Sequence, residues 1–168
     1  WNLTAGSARI EVALDFGHVG AGDRYSPYVE LELELKRGKA SALFELGRSI
    51  LALAPLRLGV VSKAERGYRL LGPLASRHRA EPISLEPGIT IGQAFPRIAG
   101  ACLRHYLLNA ELLQDGRRAD ARATLAVHQS RVALRRLRAA ILVFRPLLRA
   151  DDDTRRIDQG IGRLARVL

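Results

Sequence analysis

The chain has 168 residues, 48% of them hydrophobic, a formal net charge of +10 and a single cysteine. That length allows one domain or two small ones with real cores, and no apolar run approaches the length of a bilayer crossing, so the chain reads as soluble. Trp1 to Ile10 lacks the charged-then-apolar pattern of a signal peptide, and a lone Cys102 among apolar residues fits a reducing, cytoplasmic compartment. There is no methionine, and Ile157 to Leu168 are still in helical rhythm where the sequence stops, so a piece of a longer protein is expected. The charge is uneven. Residues 1–90 hold 12 Lys+Arg against 10 Asp+Glu, whereas residues 91–168 hold 15 against 7. A basic half implies an anionic partner, the alternative being an arginine-rich solvated surface.

In chain order, Ala8 to Phe16 and Tyr28 to Lys36 alternate as strands do, and the Gly-rich stretch Gly17 to Asp23 predicts the turn between them. Lys39 to Ala54 predicts a helix with Leu43, Leu46, Ile50 and Leu53 on one face, ended by Pro55. Leu56 to Val61 and Gly67 to Leu71 read as further strands. From Gly72 to Gly88 the chain is rich in Pro, Ser, Arg and His without periodicity, which marks a linker over 73–89 between units 1–72 and 90–168. Thr90 and Gln93 form a potential capping box, with the regular helix expected to start at or just before Pro96. Ile98, Cys102, His105, Leu108 and Leu112 then share a face down to an Asp115–Gly116 turn. A long helix is expected over 120–148, and Asp151 to Asp153 suit the start of another with Ile157, Ile161, Leu164 and Leu168 on its apolar side. The fold class is thus α+β.

Two patterns carry chemistry. In Val29-Glu30-Leu31-Glu32-Leu33-Glu34-Leu35-Lys36 the period of two places Glu30, Glu32, Glu34 and Lys36 on one face and the apolar residues on the other. Same-face carboxylates about 7 Å apart repel, and are tolerated best beside cations. Such oxygens on one face are what Mg²⁺ or Mn²⁺ carrying a phosphate substrate requires, and Asp15, on a strand face with Glu11 and Ala13, is placed to join them. A solvated or edge-guarding strand face is the alternative. Lys63 and Arg66, just after a predicted strand, are candidate cations for the same cleft.

The second pattern is His128, Arg131, Arg135, Arg138 and Arg145, which fall in a stripe about 100° wide on a helical wheel. Ala126, Ala133, Leu137, Ala140, Ile141, Phe144 and Leu148 gather opposite, and Arg136 lies apart, at about 80° from His128. Guanidinium groups hold phosphate oxygens bidentately, so the row suits an extended phosphate chain. No acid occurs from Ala126 to Arg149, so repulsion within the helix is uncompensated. The alternative is an ordinary solvated helix face. Nucleic acid is a weaker partner, because no aromatics are interleaved to stack on bases.

Glu11-Val-Ala-Leu-Asp15-Phe-Gly17, Glu30-Leu-Glu32-Leu-Glu34-Leu-Lys36, Pro55-Leu56 and Ser62-Lys63-Ala-Glu-Arg-Gly-Tyr68 together resemble the C-terminal half of a CYTH domain, a triphosphate tunnel metalloenzyme. The resemblance implies part of an antiparallel β-tunnel, with Asp15, Glu30, Glu32 and Glu34 as ligands of Mg²⁺ or Mn²⁺ and Glu30, Glu32, Lys36 and Lys63 as catalytic residues. It implies hydrolysis of inorganic triphosphate or polyphosphate. The Glu-x-Glu-x-Lys strand that opens such domains is absent, so this chain alone is expected to be inactive. Ala94 to Leu113 followed by Val127-His128-Gln129-Ser130-Arg131-Val132-Ala133-Leu134-Arg135-Arg136-Leu137-Arg138 resembles the opening of a CHAD domain, a helical bundle that binds polyphosphate. That resemblance implies His128, Arg131, Arg135, Arg136 and Arg138 as phosphate contacts. A polyphosphate-binding scaffold without catalysis is the rival function, and no membrane partner is expected.

Overall fold

The computed structural model of the chain describes residues 1–73, 75–113, 121–148 and 152–168. The chain divides into two compact units, Trp1–Leu74 and Ala75–Leu168. None of the described helices is long and apolar enough to cross a membrane.

The first unit is built on a three-stranded antiparallel sheet in the order β1 (Asn2–Ala5), β2 (Ala8–Ala21) and β3 (Arg24–Arg37). Both connections are two-residue turns that open on glycine in the left-handed region, Gly6 and Gly22, the backbone that tight hairpins require. The β2–β3 hairpin is longer than the sequence predicts, with the strands running through Gly17, His18, Val19 and Gly20 to the turn at Gly22–Asp23. Glycine weakens a strand, but Tyr28 lies opposite Gly17 and Tyr25 opposite Gly20. Their rings cover the gaps, reaching within 3.3 and 3.0 Å of where a Cβ would stand.

On one face of the hairpin the cross-strand pairs are apolar: Ile10 with Leu35, Val12 with Leu33, Leu14 with Leu31, and Phe16 with Val29. On the other face Glu11 opposes Glu34, Ala13 opposes Glu32 and Asp15 opposes Glu30. Helix α1 (Ala40–Leu53) approaches the apolar face, where Gly47 meets Leu33, and it ends where Pro55 forces Ala54 into extended backbone. Two expectations are corrected here. Residues 56–61 form no strand, and Gly67 to Leu71 belong to a helix, α2 (Lys63–Leu71). The described sheet therefore has three strands, with a helix where further strands were expected.

The second unit contains α3 (Ile91–Leu112), α4 (Ala121–Phe144) and α5 (Asp152–Val167). Helix α3 starts at Ile91, with the Thr90 N–H donating to Gln93 Oε1 at 3.1 Å, so Pro96 lies inside it rather than at its start. The core gathers Cys102, Leu134, Leu137, Ile141 and Ile161, with Phe95, Ile98 and Tyr106 packed around them. On α4, Leu134, Leu137 and Ile141 join the core with Cys102 of α3, and Ala126, Ala133 and Ala140, seven residues apart, are buried along the same helix. The expected Asp115–Gly116 turn, Asp120 and Asp151 lie outside the described residues.

The stretch read as a linker is fastened to α3 by polar contacts. The fully buried Asn109 accepts from the His78 N–H at 2.9 Å through Oδ1, and its Nδ2 donates to His78 O at 2.9 Å and His105 O at 2.8 Å. His105 Nε2 lies 2.9 Å from His78 O and 3.2 Å from Gln129 Oε1. Both partners are acceptor oxygens, so Nε2 carries the proton. Asn109→Ala would leave these buried groups short of partners and is expected to cost about 2 kcal/mol. Thermal unfolding should show the loss, and limited proteolysis should cut faster between 75 and 89.

Candidate functional site

In the first unit α2 brings cations to the carboxylate face. Ser62 caps the helix, its Oγ accepting from the Glu65 N–H at 3.1 Å, and this fixes Lys63 and Arg66 three residues apart on one helical side. Lys63 Nζ lies 2.5 Å from Asp15 Oδ2, 2.9 Å from Glu32 Oε1 and 4.0 Å from Glu30 Oε2. Arg66 donates to Glu30 Oε1 at 2.8 Å. The Tyr28 ring lies beneath the ammonium, its centroid 5.4 Å from Nζ. Arg24, at the start of β3, secures the far end of α2 by donating to the carbonyls of Leu70 at 2.8 Å and Gly72 at 3.1 Å.

Further along the same sheet face, Lys36 bridges Glu34 at 2.8 Å and Glu11 at 3.1 Å. Glu34 and Lys36 thus form a cluster with Glu11, while Asp15, Glu30 and Glu32 gather around Lys63. The expected face is shared, but its residues divide between two clamps. Arg66 is one of the cations expected for this cleft and holds Glu30, whereas Glu11, expected only to share the strand face of Asp15, is drawn in by Lys36. The helix that carries Lys63 and Arg66 was not expected, and its sequence signal is the helix-start pattern Ser62-x-x-Glu65.

Hydrogen bonds to Asp15 first and to Glu32 second push the Lys63 ammonium pKa well above the ordinary lysine value. Lys36 is raised likewise, by Glu34 first and then Glu11. Asp15, Glu30 and Glu32 offer only oxygen donors, which suits a hard divalent cation, and the group already encloses one cationic group in Lys63. That donor chemistry fits Mg²⁺ or Mn²⁺, although among the described residues no three His, Cys, Asp or Glu side chains stand close enough together to hold an ion as they are.

In the second unit His128, Arg131, Arg135 and Arg138 are exposed along α4, opposite the buried Ala126, Ala133, Leu137 and Ala140, and Arg145 is exposed just past its end. Arg136 is set apart, half-buried with its Nη1 enclosed and without a hydrogen-bond partner. It lies near Cys102, whose thiol pKa is raised by burial against the opposing pull of this guanidinium. Arg138 Nε donates to Asp158 Oδ1 of α5 at 3.0 Å, so the row is compensated at that point from a neighbouring helix. Arg138, Arg145, Arg155 and Asp158 rim a cleft of about 300 Å³ floored by Ile141 and Leu142. Among the described residues no hydrogen bond or ion pair engages the side chains of His128, Arg131, Arg135 or Arg145.

Residues 97–168 match the family model of the CHAD domain. Over 70 residues the chain is 36% identical to the inorganic triphosphatase of Haemophilus influenzae, a match covering 42% of this chain and 20% of that protein. The chain thus spans about a fifth of the curated relative it matches.

The raised pKa of Lys63 sets the alkaline behaviour of the first unit. A group raised on folding stabilises fully below its unfolded value, about 10.4 for lysine, and the contribution is lost as pH climbs through the folded value. The attachment of α2 to the sheet should therefore be constant through neutral and mildly alkaline pH and fade only above about pH 10.4. A ¹³Cε NMR titration of Lys63 showing a midpoint at or below that of the exposed lysine Lys39 would contradict this.

Proposed function

We propose that the intact protein containing this chain hydrolyses inorganic triphosphate or polyphosphate with the help of Mg²⁺ or Mn²⁺, and that its helical unit binds polyphosphate. The observation that carries this reading is the meeting of α2 cations with strand carboxylates on one sheet face, Lys63 and Arg66 with Asp15, Glu30 and Glu32. A site for phosphate chains needs both signs of charge: carboxylates for the divalent cation and cations for the phosphate oxygens. The similarity to an inorganic triphosphatase supports the same substrate class.

In this reading Glu30 and Glu32 hold the divalent ion, with Asp15 and Glu34 beside them. The ion, when bound, neutralises phosphate charge and supplies an oriented water. Lys36 and Lys63 take phosphate oxygens as point charges, with Arg66 available for bidentate contact, and together they stabilise the charge that develops on phosphoryl transfer. In the helical unit His128, Arg131, Arg135, Arg136 and Arg138 hold an extended chain. The exposed row supplies four of these contacts, and the enclosed Nη1 of Arg136 is a donor still wanting an acceptor.

A non-catalytic polyphosphate scaffold is the second reading, favoured by one contrast. Each carboxylate of the sheet face is ion-paired within the chain, whereas the side chains of His128, Arg131 and Arg135 have no partner among the described residues.

Two measurements separate and test these readings. Mg²⁺-dependent phosphate release by the intact protein should be lowered at least about a hundredfold by Glu32→Ala, the scale of losing a principal electrostatic contact in a transition state. Release that is absent from the outset, with polyphosphate still bound, would leave the scaffold reading. In calorimetry of this chain, Arg131→Ala/Arg135→Ala should weaken long-chain polyphosphate binding by roughly tenfold or more, since each charge-assisted hydrogen bond contributes about 1.5–3 kcal/mol. Equal binding by the double variant, or even competition from duplex DNA at fixed salt, would reduce the row to a charged face.

A further inference from the structure

The arginine row of α4 is broken at one position. Counted from His128, Leu142 falls at about 320° on the helical wheel, inside the stripe that holds Arg131, Arg135 and Arg138. It stands one turn past Arg138, where the next cation of a continuous row would be, and 67% of its surface is exposed. A single exposed leucine is ordinary on a protein surface. This one lines the cleft of about 300 Å³ beside α5, next to the buried Ile141. Arg145 follows in a tight turn, its N–H donating to Leu142 O at 3.3 Å, and lines the same cleft. The cleft is thus apolar along its floor and cationic at its rim, whereas successive phosphate groups would want a cation at every step.

The charges of the cleft are unequally placed. Arg138 is already engaged: its Nε donates to Asp158 Oδ1 at 3.0 Å, and its Cζ lies 3.9 Å from where a Cβ of Gly162 would stand, so the guanidinium rests against α5. That pair cancels, and the positive excess of the lining comes from Arg145, just past α4, and Arg155 of α5. We infer that this cleft binds a phosphate monoester: the phosphate on Arg145 with Arg155 across from it, the apolar alcohol part over Ile141 and Leu142, and the Arg138–Asp158 pair as the far wall. A monoester carries a charge of about −1.5 to −2 at neutral pH, which two guanidiniums match, and a guanidinium holds phosphate oxygens in a bidentate fork. The organic part supplies what an inorganic phosphate chain lacks, an apolar surface that takes Leu142 out of water. A volume of about 300 Å³ is at the small end for such sites, so the apolar part is short, on the order of six carbons. This goes beyond the polyphosphate reading and does not depend on it, since Arg131 and Arg135 do not line the cleft.

The test is calorimetric titration of the 168-residue chain with hexyl phosphate and with inorganic phosphate. Hexyl phosphate should bind at least about tenfold more tightly, the effect of burying roughly two methylene groups. Leu142→Gln, at an exposed position outside the core, should remove most of that advantage and leave inorganic phosphate unchanged. Arg145→Gln should weaken hexyl phosphate by roughly tenfold, through loss of a charge-assisted contact. Equal affinity for the two ligands, an advantage that survives Leu142→Gln, or no effect of Arg145→Gln would overturn the inference.

A second measurement needs no variant. Intermolecular NOEs should join the hexyl protons to the methyl groups of Leu142 and Ile141, and NOEs to exposed leucines such as Leu53 and Leu58 in their place would equally overturn it. Long-chain polyphosphate is the control for the row. Its affinity should be unchanged in Leu142→Gln, and a loss equal to that of hexyl phosphate would make the leucine part of the polyphosphate surface and sink the monoester site. A chain that binds hexyl phosphate in the cleft but no polyphosphate would sink the row alone. If Leu142→Gln altered the sedimentation of the chain and not its ligand binding, the cleft would be a contact between copies and the inference would fall.

Discussion

The register of the β2–β3 hairpin is the constraint from which the first unit follows. A strand repeats every two residues, so the register that pairs Ile10 with Leu35 and Val12 with Leu33 also sets Glu11 against Glu34 and Asp15 against Glu30. Sliding by one residue would relieve the repulsion only by turning the apolar set to water, and Ile10, which is fully buried, forbids it. Repulsion is therefore built into the fold. It is answered by Lys36 from the same sheet and by Lys63 and Arg66 from α2. Helix α2 sets its cations against that excess of negative charge.

The second unit applies the same logic with the sign reversed. Burial of Leu134, Leu137 and Ile141 in the core, with Ala126, Ala133 and Ala140 buried beside them, fixes the rotation of α4. Once the rotation is fixed, His128, Arg131, Arg135 and Arg138 must share the outer side. Here the answering charge is sparse. Asp158 meets Arg138, in a pair with both side chains about half exposed (50% and 45%), and contributes at most about 1 kcal/mol. Among the described residues the remaining cations of the row have no answering carboxylate.

Sequence reading found the parts that depend on period and charge, and missed those that depend on a partner distant in the chain. The faces of β2 and β3 were legible because Leu and Glu alternate through 30–36, and the sides of α4 because the arginines and alanines separate on a wheel. Residues 56–61 carry an alternation of Leu56, Leu58 and Val60 that suits a strand, yet a strand exists only where another donates hydrogen bonds, and among the described residues none pairs with them. The Ser62-x-x-Glu65 start of α2 was outweighed by that alternation and by Gly67. Glycines 17 and 20 read as turn because a strand glycine is costly, and their cover by Tyr28 and Tyr25 is a cross-strand fact. The docking of His78 on Asn109 is equally non-local, since a Pro- and Ser-rich stretch has no periodicity that would announce it. Of the candidate site, the carboxylates and lysines were visible one by one, while their division into two clamps required the register.

The choice of cation in each unit fits its place. Lysine is a compact point charge on a flexible stem, and at the first residue of α2 it can let go of one set of oxygens and take another. Arginine presents a planar fork that loses less freedom when it binds a phosphate, so a row on a rigid helix is best made of arginines. A half-exposed ion pair contributes little to stability, which makes both Lys63 on its carboxylates and Arg138 on Asp158 easy to displace by a stronger ligand of the right sign. An isolated acidic strand or basic helix would be a liability, self-repelling and open to any counter-ion. Within the chain, partly exposed partners compensate each charged surface only in part and at little gain in stability.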